Sequence, residues 1–232
     1  YRFRINRLHA EKLERIVFKR TKQLEEMNEG LTWLANHDSL TRLPNRNQVH
    51  QKMSQFDANC ILGIIVIDLD YFKSVNDQHG HAAGDLALQA FADMLALLVH
   101  KNQIACRWGG EEFLIICPNI SKARLVALVQ QVLDHCRQLQ VEISEHQTIQ
   151  LKCSIGCAMT PAPPQKQLRW EKTIQLADMA LYDAKHSGRD RAIAYLWHTQ
   201  THNKQNINWV LANTEQAFKD KILEKLVLAV IA

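Results

Sequence analysis

Two stretches of the chain hold side chains equipped for chemistry. Arg107 to Phe113 reads RWGGEEF: two glycines, two carboxylates and an aromatic, set between the apolar segments Ile104 to Cys106 and Phe113 to Cys117. That order reads as a β-hairpin with an acidic tip, and glycine at the tip lets backbone amides come close to a ligand. Upstream, Ile67 to Asp85 reads IDLDYFKSVNDQHGHAAGD. The apolar run Cys60 to Ile67 reads as a buried strand, and it ends at Asp68-Leu69-Asp70, where a strand leaves its sheet. If strand and hairpin are neighbours, Asp68 and Glu111 share a divalent cation. As ordinary surface carboxylates they would cap turns instead. Lys185 and Arg189 stand four apart across the end of a predicted helix, a spacing that also serves the helix dipole, and Asn76-Asp77 also fits a simple Asx turn.

The rest of the chain must position these groups. At 232 residues and 26.7 kDa, with 47% apolar and 22% charged residues, it has room for one sizeable domain and an appendage. A formal charge of +4 is mildly basic, but no Lys/Arg block forms a nucleic-acid stripe, so no nucleic-acid partner is expected. Six cysteines without a CxxC pair or a secretory signal read as reduced core thiols. Cys153 and Cys157, four apart in a strand, would lie about 13 Å apart, too far to bridge. No apolar stretch approaches the roughly 20 residues that span a bilayer. The chain therefore reads as soluble, and its start at Tyr1 and its end on LVLAVIA read as those of a fragment.

Residues 1 to 36 predict a long helix. With a at Phe3, Ala10, Val17, Leu24 and Leu31, d falls on Asn6, Leu13, Arg20, Met27 and Leu34, so eight of ten seam positions are apolar. The pattern suits a parallel coiled-coil stalk; a single amphipathic helix packed back on the domain is the alternative. Asp38 to Arg46, DSLTRLPNR, is a turn-rich joint leading into a helix from Asn47 to about Phe56. A strand over Cys60 to Leu69, a loop carrying Phe72, Lys73, Asn76 and His81, and a helix from Asp85 to Val99 come next. The hairpin is followed by a helix over Ser121 to Leu139 behind a serine cap and a strand over Leu151 to Ala158. A loop at Pro161 to Pro164, a helix over Glu171 to Ser187 closed by Gly188 and a strand over Arg191 to Trp197 complete the order. The succession implies a layered α/β (α+β) domain with one mainly antiparallel sheet flanked by helices, occupying 37–197. In 198–232, Trp209, Leu211, Phe218, Ile222 and Leu226 suggest one or two further amphipathic helices. His198 and His202 stand at i, i+4, without further ligands to make a metal site.

GGEEF, the DxD strand end, the run FKxxNDxxGHxxGD and the later ALYxAKxxGR together resemble the GGDEF family of diguanylate cyclases, over Asp38 to about Trp197. The resemblance implies a palm-type, ferredoxin-like nucleotide cyclase fold. It also implies condensation of two GTP into cyclic di-GMP by attack of a 3′-hydroxyl on an α-phosphate, performed twice. Such displacements need positive charge and in-line positioning, and hard oxygen ligands select Mg²⁺ or Mn²⁺. Carried over residue by residue, Asp68, Glu111 and the Leu69 carbonyl hold the metal. Glu111 is also the family's candidate general base, and Glu112 is a second candidate for metal or proton work. Gly109 and Gly110 make room for phosphates, and the amides near Tyr71 and Phe72 cradle them. Lys73 stabilises developing charge, and Lys185 and Arg189 clamp phosphates. Asn76 and Asp85 match the family's guanine readers, with His81 nearby.

Each domain would hold one GTP, so the resemblance implies a homodimer. The stalk resembles the signalling helices of membrane-bound receptor cyclases, which would make this chain a cytoplasmic piece of a protein in the bacterial inner membrane, with the membrane just before Tyr1. The chain departs from the family at three places. His100 and Gln103 replace the RxxD product-binding site, so no strong product inhibition is expected there. Arg42 stands where glycine is common, and Asp190 replaces the asparagine of GRN. Two rival functions remain: a catalytically silent GTP-binding scaffold, and a polymerase-like palm, which would need a strongly basic groove.

Overall fold

The computed structural model describes residues 2–56, 60–160, 170–198 and 207–228, with side chains from residue 13 onward. Helix α1 (Arg2–Asn36) is followed by α2 (Arg46–Met53), β1 (Leu62–Leu69), α3 (Phe72–His79), α4 (His81–Leu98), β2 (Ile104–Gly109) and β3 (Glu112–Pro118). Next come α5 (Lys122–Gln138), β4 (Gln140–Ser144), β5 (Gln147–Gln150), β6 (Cys153–Met159), α6 (Trp170–His186) and β7 (Ala192–Trp197). The described chain closes with α7 (Ile207–Ala212), α8 (Thr214–Lys219) and β8 (Leu223–Leu228). Six strands form one sheet in the order β2-β3-β1-β6-β7-β8, in which only β6 and β7 run parallel. This is the mainly antiparallel sheet expected of an α+β domain, and β4-β5 stand apart as a small hairpin.

β1 lies at the centre, paired to β3 on one side and β6 on the other, and every residue of it is buried. A strand buried on both faces still alternates its side chains. Ile65, Ile67 and Leu69 enter the core under α4 and α5, with Phe91, Leu95, Leu125 and Val132. Leu62, Ile64 and Val66 face the other core, with Ile174, Ala177, Leu181 and Ala184 of α6. The same parity sends Asp68 to the α6 side. There α6 crosses β6 closely: a Cβ added to Gly156 would stand 2.1 Å from the Ala177 carbonyl and 2.2 Å from the Leu181 amide.

The joint between α1 and the domain is hydrogen-bonded at both ends. Asn45 donates from Nδ2 to the Ala35 and His37 carbonyls, at 2.9 and 3.3 Å, and from its amide to the Asn36 carbonyl, at 2.9 Å. Its Oδ1 accepts the Gln48 amide at 3.2 Å, so one residue closes α1 and caps α2. Arg42 holds φ 59°, which accounts for glycine suiting that position in relatives.

Three sequence expectations are corrected. Phe72–His79 is a helix rather than a loop; none of its residues is buried, so it offers no apolar stripe to detect. The hairpin β4-β5 was not foreseen, although Val141, Ile143 and Ile149 pack on the core. In the last segment the two expected helices are short, and Leu226 lies in a strand that pairs antiparallel with β7, Trp197 opposite Leu223. LEKLVL suits helix and strand alike, and the free edge of β7 decides. Pro161 to Pro164 and His202 lie outside the described residues.

Gly156→Ala is expected to push α6 off the sheet and lower stability by about 1–3 kcal/mol, as overpacking does. Denaturant unfolding checks this; an unchanged midpoint would refute the tight crossing.

Candidate active site

The site forms where β1 ends. Asp68 pairs with Glu112 across the antiparallel ladder, so two carboxylates stand directly opposite each other on the α6 face. The Leu69 amide donates to the Glu111 carbonyl at 3.3 Å, which lays the hairpin tip against the strand end. Lys185 answers this charge from α6, its Nζ 2.7 Å from Asp68 Oδ2. Burial pushes the Asp68 carboxyl above its ordinary pKa; the Lys185 ammonium pulls it down, and Glu111 and Asp70 push it up again. Desolvation also raises Glu112, followed by the charge of Asp68. Asp68 and Glu112 therefore share the one ammonium of Lys185, with Glu111 and Asp70 adding negative charge beside them. Among the described residues no three His, Cys, Asp or Glu side chains gather into a ready-made metal cluster. The surplus of hard, negatively charged oxygen at Asp68 and Glu111 nonetheless fits a divalent cation that takes its remaining ligands from backbone and phosphate.

The tip itself is held from outside. Arg107 donates from Nε and Nη2 to the Gly110 carbonyl, at 2.9 and 2.8 Å, and from Nη1 to Asp38 Oδ1 at 3.0 Å. The register shifts between Arg107 and Gly109, making Trp108 the extra residue of a bulge, with the Arg46 guanidinium 4.6 Å from its ring. Gly110 takes φ 51° to close the turn, and neither Gly109 nor Gly110 has an atom within 4 Å of where a Cβ would stand. The space beside the tip is therefore open. Asp38 also accepts the Thr41 amide and hydroxyl at 2.8 and 2.7 Å.

On the other side, Tyr71 opens α3 in the left-handed region at φ 58°. The amides of Phe72 and Lys73 begin the helix and have no carbonyl within it to take them, the arrangement that favours anions. Lys73 is exposed there. The Asn76 carboxamide lies against α4 where Gly84 leaves space: a Cβ at Gly84 would come 2.0 Å from Asn76 Oδ1. Asn76 and Asp85 are thus adjacent across the α3-α4 corner, with Asp85 and His81 exposed on α4.

The end of α6 brings in the last groups. Gly188 turns the chain at φ 111°, and the Arg189 amide donates back to the Ala184 carbonyl at 3.1 Å, a Schellman closure. The Arg189 guanidinium lies 4.9 Å from the Tyr71 ring and 3.9 Å from Asp70. Asp70, buried, accepts Ser154 Oγ at 2.8 Å and the Asp190 amide at 3.0 Å. The structure so converges Asp68, Leu69, Glu111, Glu112, Lys185, Arg189 and Tyr71 on one end of the sheet, flanked by Asn76 and Asp85. His100 and Gln103 lie elsewhere, in a turn they close reciprocally, each amide donating to the other residue at 2.8 Å. That turn borders a separate cavity of about 390 Å³. Sequence reasoning had no role for Asp70 as an anchor or for Arg107 as the tie on the tip. A carboxylate inside an apolar strand end, and an arginine two residues before a glycine pair, are the signals that were present.

Residues 35–191 match the family described as diguanylate cyclase, GGDEF domain. The chain belongs to that family. It is 34% identical over 185 residues to the cyclic di-GMP phosphodiesterase PdeR of Escherichia coli, covering 73% of this chain and 27% of PdeR. It is 30% identical to the diguanylate cyclase DosC of Shigella sonnei, covering 77% of this chain and 37% of DosC. The chain thus spans about a quarter to just over a third of these relatives. Among solved structures, the coiled coil and GGDEF domain of DgcB from Caulobacter crescentus, in complex with c-di-GMP, aligns at TM-score 0.68 and 25% identity. That match covers 78% of this chain and 98% of the DgcB chain. The GGDEF domain here thus has the cyclase fold.

Burial works against the charge on Asp38, but Thr41 and Arg107 outweigh it and hold its pKa below the usual carboxylate value. Its contribution is full above the unfolded carboxylate pKa of about 4 and is lost as pH falls through the lowered folded value. Asp38→Asn should cost about 1 kcal/mol at pH 7. The difference in melting temperature between variant and parent should shrink in acid; a gap that stays constant to pH 3 would refute this.

Proposed function

We propose that this GGDEF domain condenses two molecules of GTP into cyclic di-GMP, releasing two pyrophosphates. The observation that carries the reading is the hairpin tip hydrogen-bonded to the end of β1, which brings Glu111 beside the buried Asp68. Asp68, Glu111 and the Leu69 carbonyl would hold Mg²⁺ or Mn²⁺. Such an ion neutralises phosphoryl charge as it develops. The amides opening α3, with Lys73 and Arg189, bind the outer phosphates, and Lys185 offers a further cation beside them. Asn76 and Asp85, with His81 nearby, read the guanine edge, which adenine cannot satisfy. Glu111, with Glu112 next to it, is placed to accept the proton of the attacking 3′-hydroxyl.

One domain presents one nucleotide, so turnover takes two copies facing each other. Support for pairing comes from α1, whose seam residues Leu13, Val17, Leu24, Met27, Leu31 and Leu34 are each at least 55% exposed in the single chain. We read residues 1–36 as a signalling stalk, in the manner of membrane-bound receptors, 37–197 as the cyclase domain and 198–232 as an extension. Among the described residues no helix is long and apolar enough to cross a membrane.

A second reading is supported by the similarity to PdeR, which is named as a phosphodiesterase: a domain that binds GTP without turning it over. Incubation with GTP and Mg²⁺ followed by chromatography separates the two, since only the first yields cyclic di-GMP. Glu111→Gln is expected to lower kcat by roughly a hundredfold or more, and product from that variant at the parent's rate would sink the proposal. Micromolar cyclic di-GMP should leave the initial rate unchanged, because His100 and Gln103 bond to each other in place of an arginine fork; a halved rate would count against this.

A further inference from the structure

The turn after α6 carries more strain than a helix end needs. A Schellman closure takes one left-handed residue, and Gly188 supplies it. Here Arg189 and Asp190 follow at φ 61° and 46°, two non-glycine residues in a region L-amino acids avoid. The strain persists because Asp190 is gripped on all sides. Arg137 of α5 donates from Nε to Asp190 Oδ1 at 2.7 Å and from Nη2 to its carbonyl at 2.5 Å. Lys152 approaches Oδ2 at 3.5 Å, and the Asp190 amide donates to Asp70. Asp190 replaces the asparagine of related sequences, and asparagine also tolerates this conformation. An asparagine Oδ1 could accept from Arg137 Nε as well; the carboxylate makes that hydrogen bond charge-assisted.

The result of the contorted turn is the placement of Arg189 over Tyr71, at the opening amides of α3. We propose that Arg137 and Asp190 are positioning residues: one ion pair to the carboxylate and one hydrogen bond to the Asp190 carbonyl lock the turn that aims Arg189 at the triphosphate. The proposal rests on reading this site as a GTP site. It assigns a task in nucleotide binding to Arg137, which lies on α5, outside every motif that carries the family resemblance.

The test measures affinity for a fluorescent GTP analogue, together with KM and kcat, on the full chain. Asp190→Ala and Arg137→Met are each expected to weaken binding and raise KM roughly five- to tenfold, with kcat within about twofold. The double variant should be no worse than either single one, and Asp190→Ala added to Arg189→Ala should cost nothing further, because both act through Arg189. Melting temperatures report folding, and if one variant fails to fold the other carries the measurement. Unchanged nucleotide affinity in a folded variant overturns the inference, as does a loss that adds to that of Arg189→Ala. A parent chain that binds no GTP overturns it too, and is distinguishable because then the proposed function fails in the unmutated protein.

Discussion

Like charge crowded at the end of a buried strand is the constraint on which the structure turns. β1 runs through the middle of the sheet, so its last residues cannot escape to solvent, and the ladder sets Asp68 opposite Glu112. Opposed carboxylates destabilise a strand pair, and leaving water costs each of them more. The fold tolerates this because α6 delivers Lys185 to 2.7 Å from Asp68. That delivery depends on how closely α6 lies on β6, which depends on Gly156 having no side chain. The helix-on-sheet distance and the electrostatics of the site are therefore one problem.

Much of this was legible in the chain. That β1 and β3 are buried strands is written in the apolar runs ILGIIVIDL and EFLIICP, and strand parity then fixes which face each carboxylate takes. Register was not legible, because nothing local in Leu62–Leu69 states that Asp68 meets Glu112. Lys185 was expected as a phosphate grip from the family resemblance; its pairing with Asp68 depends on α6 crossing the sheet, a relation between distant segments. The polar helix α3 and the strand β8 were misread for opposite reasons. α3 has no fully buried residue and only Phe72 packs on the core, so periodicity is silent, whereas LEKLVL is periodic enough for either structure and is decided by an open sheet edge.

Under the proposed function, the pairing of Lys185 with Asp68 and its role at the phosphates are physically compatible. A divalent ion held by Asp68 and Glu111 would supply the positive charge that the ammonium supplies to Asp68 in this structure. The lysine, on a flexible stem, would then be free to meet phosphates. Arg189 has no such freedom: its planar fork lies over Tyr71 on a turn fixed by Asp70, Asp190 and Arg137. Under the proposed function, one cation free to move and one that is fixed would suit a site that neutralises charge before substrate binds and orients phosphate afterwards.

The joint between α1 and the domain is held in the same way. Asn45 binds the last carbonyls of α1, Arg107 donates its amide to Pro44, and the Arg107 side chain links Asp38 to the Gly110 carbonyl at the tip. Coupling between distant sites requires an element with two arrangements, and a joint so fully hydrogen-bonded has one. Under the proposed function, a change in α1 would therefore move the domain as a body, hairpin included, without reshaping the nucleotide site. Under the dimeric reading, the quantity a signal sets is how the two bodies meet, and the exposed seam of α1 is where two copies would choose between registers.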